Sequence, residues 1–184
     1  MKNFFILSLP RSRTAWLANF LTYENSYCFH EGLLDCESVP WLHRLFEETG
    51  KPIRGNSDCG NIIFLEKLRK SFPDAKYVIV ERHLGEVVDE LHEIGLESFQ
   101  PEVMEYADSQ LKLAKRTLDA LTVNFHELDE SACRQIWRHC IGTPFDEARW
   151  RMLDGMDIQI ILAKKIELMR KKKSNIESLM GREH

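Results

Sequence analysis

At 184 residues the chain is long enough for one domain with a sizeable core and too short for two comfortable ones. Apolar residues make up 43% and charged residues 29%, the ordinary mix of a globular protein. The formal net charge of −4 gives no global case for nucleic-acid binding, so any anion site must come from local placement of a few cations.

Phe4 to Ser8 is a continuous apolar run, the pattern of a strand buried on both faces of a parallel sheet. It is shorter than the apolar region of a signal peptide, and Pro10, Arg11 and Arg13 end it with no small-x-small cleavage site. No other window approaches the length of a membrane span. The expectation is a cytoplasmic protein with no membrane partner. A helix opens at Ser12 or Arg13, with Trp16, Leu17, Phe20 and Leu21 on its apolar face. "SYCFHE" (26–31) is a second short strand, and Pro40 and Gly50 bracket a helix in the asymmetry that helix ends favour. "PIRGNSD" (52–58) is a third strand running into a polar loop. The helix after it takes Asn61 as N-cap and Pro73 as stop.

"KYVIVER" (76–82) is the fourth strand, followed by a helix closed by Gly95 and a long helix from about Pro101 to Leu121. "TVNFHEL" (122–128) is the fifth strand. Asp129 or Ser131 caps a helix through Cys140, which Gly142 and Pro144 end, and a last helix rich in lysine covers about 157–173. Strands alternating with helices predict an α/β fold: a single three-layer domain over 1–184, with a mainly parallel five-stranded sheet and helices on both faces. Cys28, Cys36, Cys59, Cys133 and Cys140 lack paired C-x-x-C spacing and are expected as reduced thiols. Cys28, His30 and Cys36 fit no zinc pattern strongly, and no metal is expected.

Parallel sheets bind ligands at the carboxyl ends of their strands. "SLPRSRTAW" (8–16) lies at the first such end, where a helix N-terminus presents unpaired N–H groups and its positive dipole. Arg11 adds a fork of donors suited to phosphate or sulfate oxygens, and Ser12 and Thr14 add hydroxyls. The glycines and lysine of G-x-x-x-x-G-K-[ST] are missing, which counts against ATP hydrolysis or an ATP-dependent kinase. Pattern alone leaves a second reading open, in which Ser12 is only an N-cap and the arginines are solvated.

"LPRSRTAWL" (9–17) resembles the 5′-phosphosulfate-binding loop of the sulfotransferase family, P-[KR]-S-G-T-T-x. Pro10, Arg11, Ser12 and Thr14 match; Arg13 replaces a glycine and Ala15 a second threonine. "AKYVIVERHLGEVVDEL" (75–91) is similar to the family's second block, a strand ending in an arginine that binds the donor's 3′-phosphate, a role that falls to Arg82. The family has a serine eight residues later, and this chain has Glu90, an anion where a phosphate is expected. "LTVNFHELDESACRQIWRHCIGTPFD" (121–146) is similar to a third stretch that ends in G-x-P-F. The glycine-rich C-terminal donor segment has no counterpart.

The resemblance, from Phe4 to about Asp146, implies a P-loop-NTPase-like (sulfotransferase-like) fold. It also implies 3′-phosphoadenosine-5′-phosphosulfate (PAPS) as donor and a small-molecule or biopolymer acceptor. Pro10, Arg11, Ser12, Arg13, Thr14, Ala15 and Arg82 would bind the donor. Sulfuryl transfer needs alignment and charge neutralisation, with Arg11 at the leaving phosphate, and a base for the acceptor's proton. Glu31, after the second strand, is the first choice, with neighbouring His30 expected on the opposite strand face. Asp58, near where the cytosolic enzymes carry their catalytic histidine, is the second, and His83 also borders the site. The alternative function is a non-catalytic nucleotide- or phosphate-binding protein on the same scaffold. A nucleotide kinase rests on fold analogy alone.

Overall fold

The computed structural model describes residues 1–33, 38–95, 101–156 and 158. Its five strands are β1 (Lys2–Ser8), β2 (Ser26–His30), β3 (Ile53–Ser57), β4 (Lys76–Glu81) and β5 (Ala120–Asn124), all parallel in the order β2-β3-β1-β4-β5. Central β1 pairs Ile6 with Ser57 on one side and with Val78 on the other. Both of its faces are covered, which is why Phe4, Phe5, Ile6 and Leu7 can be apolar in succession, each 0% exposed.

Among the described residues, the helices with defined bounds are α1 (Thr14–Leu21), α2 (Val39–Glu48), α3 (Gly60–Ile63), α4 (Leu65–Ser71), α5 (Leu84–Glu93), α6 (Pro101–Thr117), α7 (Glu130–Cys140) and α8 (Glu147–Asp154). Phe4 and Ile6 face one layer, packed with Trp16 and Phe20 of α1, Trp137 of α7 and Leu153 of α8. Phe5 and Leu7 face the other, with Phe46 of α2, Leu68 of α4, Val87 of α5 and Leu111 of α6. Gly55, paired with Phe4, has to be glycine: a Cβ there would lie 2.1 Å from the Phe4 ring. Because α1 leaves β1 towards one face and α5 leaves β4 towards the other, the carboxyl ends of these two neighbouring strands form the switch point at which such sheets hold ligands.

Four local expectations change. The helix expected from Asn61 is interrupted at Phe64, giving α3 and α4. Asn61 is no cap but a buried bridge, its Nδ2 donating to the carbonyls of Ile6 and Asn56 at 2.9 Å each. The long helix ends at Thr117, because Ala120 and Leu121 pair with Tyr77 and Val78 as the start of β5. Apolar spacing does not separate a helix's last turn from a buried strand's first residues. The fifth strand gives way at Phe125–Glu127 to a 3-10 turn.

Helix α8 was not foreseen. Asp146 caps it, Oδ1 accepting from Arg149 N at 2.9 Å, and Trp16 Nε1 ties it to α1 by donating to Leu153 O at 2.9 Å. The lysine-rich helix expected over 157–173 lies almost wholly outside the described residues, as does Cys36. Cys28, Cys59, Cys133 and Cys140 are free thiols. Among the described residues no helix is long and apolar enough to cross a membrane.

Candidate anion-binding site

The loop from β1 to α1 has an unusual backbone for its residue types. Arg11 (φ 60°) and Arg13 (φ 58°) both lie in the left-handed region, which disfavours side-chain-bearing residues by roughly 1–2 kcal/mol each. Arg13 is the N-cap of α1 and gives it no side-chain hydrogen bond. Ser12 is fully buried, its hydroxyl donating to Pro10 O at 3.3 Å, so it is not the N-cap that the pattern allowed. Ser38, Asp129 and Asp146, by contrast, cap α2, α7 and α8 through their side chains. The first turn of α1 therefore keeps N–H groups that no capping side chain takes up, the arrangement that favours an anion. Thr14 opens α1, and its carbonyl accepts from Ser57 Oγ at 2.9 Å. Half-buried Pro10 and Ala15 contribute backbone.

Arg82, just past β4, lies against this loop. Its side chain is 10% exposed and its guanidinium sits 4.1 Å above the Phe125 ring. Nη1 of Arg82 donates to the carbonyl of Arg11, pinning the strained loop, and to Glu90 Oε2 at 2.6 Å. Arg11 reaches the same carboxylate from the other side, with Nε at 2.7 Å and Nη2 at 2.6 Å from Oε1. One carboxylate thus spans two guanidiniums. Burial pushes the Glu90 carboxyl up, but the hydrogen bonds from Arg82 and Arg11 outweigh it and hold it below the ordinary range. One turn earlier, Glu86 Oε2 stands 3.6 Å from Arg82 Nε and 2.8 Å from His126 Nε2. The His126 hydrogen bond lowers the Glu86 carboxyl.

The two proposed bases fare differently. Glu31 leaves β2 with φ 56°, breaking the strand's alternation. His30 is consequently not on an opposite face: its Nε2 lies 3.9 Å from Glu31 Oε1 and 3.2 Å from Thr14 Oγ1. Glu31, His30 and the start of α1 therefore meet. Asp58 is 0% exposed, and its oxygens accept from Gly60 N at 2.7 Å and Leu33 N at 2.9 Å. Beside it, Asn56 Oδ1 accepts from Gly32 N at 3.0 Å and Asn56 Nδ2 donates to Asn61 Oδ1 at 2.8 Å. This network fastens the segment after β2 to the end of β3, a structural task for Asp58. His83 caps α5, its Nδ1 accepting from Gly85 N at 3.2 Å.

Sequence reasoning missed Phe125, the platform under Arg82, and the pairing of His126 with Glu86. Beside Arg82 a cleft of about 820 Å³ opens between α5, α6 and the ends of β4 and β5, lined by His83, Asp89, Met104, Asp108 and His126. Among the described residues no group of three or more His, Cys, Asp or Glu side chains could hold a metal ion.

No protein-family model matches the chain, and no curated protein does. Among solved structures, the mouse sulfotransferase SULT7A1 complexed with PAP matches with a TM-score of 0.55 at 14% identity, over 83% of this chain and 63% of that one. The chain thus spans less than two thirds of that protein's length. A gluconokinase from Sinorhizobium meliloti 1021 gives a TM-score of 0.46 at 13% identity over 83% and 94%, too loose a likeness to argue from. At such identities the likeness is one of fold. The described residues form an α/β fold with a five-stranded parallel sheet, the fold shared with this sulfotransferase structure.

Proposed function

We propose that the chain is a sulfotransferase-like protein that binds the phosphosulfate end of PAPS at residues 10–15 and transfers the sulfuryl group to a hydroxyl or amine acceptor. The observation that carries this reading is the convergence of Arg11 and Arg82, from adjacent strand ends, at the mouth of an α1 whose N-cap lends it no side chain. Two positioned guanidiniums beside a helix dipole suit oxyanions, and the loop has no lysine for a triphosphate.

Within this reading, Arg11 and the first-turn N–H groups of α1 neutralise charge on the bridging and leaving oxygens. Arg82, 4.1 Å above the Phe125 ring, holds the loop by donating to the Arg11 carbonyl. Glu31, with His30 beside it, accepts the acceptor's proton as the acceptor atom bonds to sulfur and the bond from sulfur to the bridging oxygen breaks. Asp58 is the weaker choice, because its oxygens hold main-chain N–H groups. The test is transfer of labelled sulfate from PAPS, together with calorimetric binding of 3′-phosphoadenosine-5′-phosphate (PAP). Binding that is lost in Arg11→Ala supports the reading; no heat from folded native protein at high PAP overturns it.

One observation favours a second reading, a non-catalytic nucleotide- or phosphate-binding protein. Glu90 already balances charge on both arginines. That reading predicts PAP binding without turnover, and measured sulfate transfer to any acceptor removes it.

A further inference from the structure

We infer that Glu90 determines which ligands the site distinguishes. It fills the second anion position from within the chain, so a 3′-phosphate adds no affinity over a nucleotide that carries a 5′-phosphate alone. The inference rests on the proposal that the loop binds a phosphorylated nucleotide.

The geometry is that of an occupied clamp. Glu90 Oε1 takes both Nε and Nη2 of Arg11, and Oε2 takes Nη1 of Arg82, all at 2.6–2.7 Å. These are the distances of charge-assisted hydrogen bonds. Glu86 adds a second carboxylate 3.6 Å from Arg82 Nε. The cluster of Arg11, Arg82, Glu86 and Glu90 is therefore balanced before any ligand arrives.

A second phosphate approaching Arg82 either meets Glu90 as a like charge or displaces it. A displaced carboxylate loses both guanidinium partners while staying beside a dianion. The helix cannot carry Glu90 away, because Val87 and Leu91 on the same helix are 0% and 2% exposed and belong to the core. The start of α1 is different: its first-turn N–H groups have no capping side chain, and Thr14 adds a hydroxyl there. One anion position is filled by the protein and the other is offered to the ligand.

The experiment is titration calorimetry of native protein and Glu90→Gln with PAP and with adenosine 5′-monophosphate, at one fixed ionic strength. Circular dichroism confirms the fold, and Glu90→Ser repeats the comparison if Glu90→Gln does not fold. The expected result is native affinities for the two nucleotides within about threefold of each other. Glu90→Gln should then tighten PAP by about tenfold or more while leaving the monophosphate within about threefold. A native preference for PAP of about tenfold or more overturns the inference, whatever the variants do. So does a variant that tightens both ligands equally or neither. If neither nucleotide binds any folded form, the loop's assignment as a nucleotide site fails, and this inference falls with it.

Discussion

Asp58 and Glu90 both lie at the carboxyl edge of the sheet, and both are held by close hydrogen bonds, yet the kinds of partner differ. Asp58 holds main-chain N–H groups of Gly60 and Leu33, which cannot turn towards a ligand without undoing the loops that carry them. Glu90 holds two guanidiniums on side chains 21% and 10% exposed, which keep torsional freedom and further donors. A position after a strand marks a residue as a candidate. Whether its partners can be exchanged decides if it belongs to a structural network or to a binding site.

Removing the Asp58 side chain should give the largest effect. Asp58→Ala leaves two N–H groups without their acceptor in a 0% exposed setting, at roughly 1–3 kcal/mol for each. A loss of about 3 kcal/mol or more in urea unfolding is expected. A variant as stable as the native chain would erase the distinction between the two sites. Arg11→Ala comes next: PAP affinity should fall about tenfold or more, the loss of one charge-assisted contact, read by calorimetry.

Glu90→Gln should cost about 1–2 kcal/mol of stability near neutral pH, since two partly buried cations lose their shared anion. Its pH dependence sharpens the contrast. A carboxyl held below its ordinary value stabilises fully above that value and loses the contribution as pH falls through the lowered one. The stability gap between native and Glu90→Gln should therefore close on acidification below about pH 4. A gap that stays constant with pH would mean that the ion pairs are not its source. The smallest effect is a gain. Arg13→Gly should stabilise by about 0.5–1 kcal/mol, because glycine adopts a left-handed φ without steric cost. A raised Tm would show it, and a lowered Tm would mean that the Arg13 side chain is itself holding structure.

The sheet was legible because β1 is buried on both faces, which forces an unbroken apolar run, and because the turns after helices use glycine at positive φ, as at Gly50, Gly95 and Gly142. Helix α8 was not legible. "EARWRMLD" has a weak apolar face, and its docking depends on contacts made far along the chain, such as Arg149 Nη2 donating to Asn19 O and Thr22 O at 2.5 Å each. Near the candidate site, Arg11 was legible as a cation that follows a strand, and Arg82 through the resemblance of its strand and helix to the sulfotransferase family's second block. The meeting of His30 with Glu31 was not, because it depends on a positive φ at a glutamate, which no periodicity encodes. The burial of Asp58 was equally hidden, since its partner Leu33 N lies 25 residues away.

On the function proposed above, the carboxyl ends of β1 and β4 take the phosphate end of a nucleotide. Amide NMR shifts of ¹⁵N-labelled native protein during titration with PAP test it most directly. Saturable shifts concentrated at residues 11–15 and at Arg82, and absent in Arg11→Ala, are expected. Saturable shifts confined to other parts of the fold, or none from a folded sample, would contradict it.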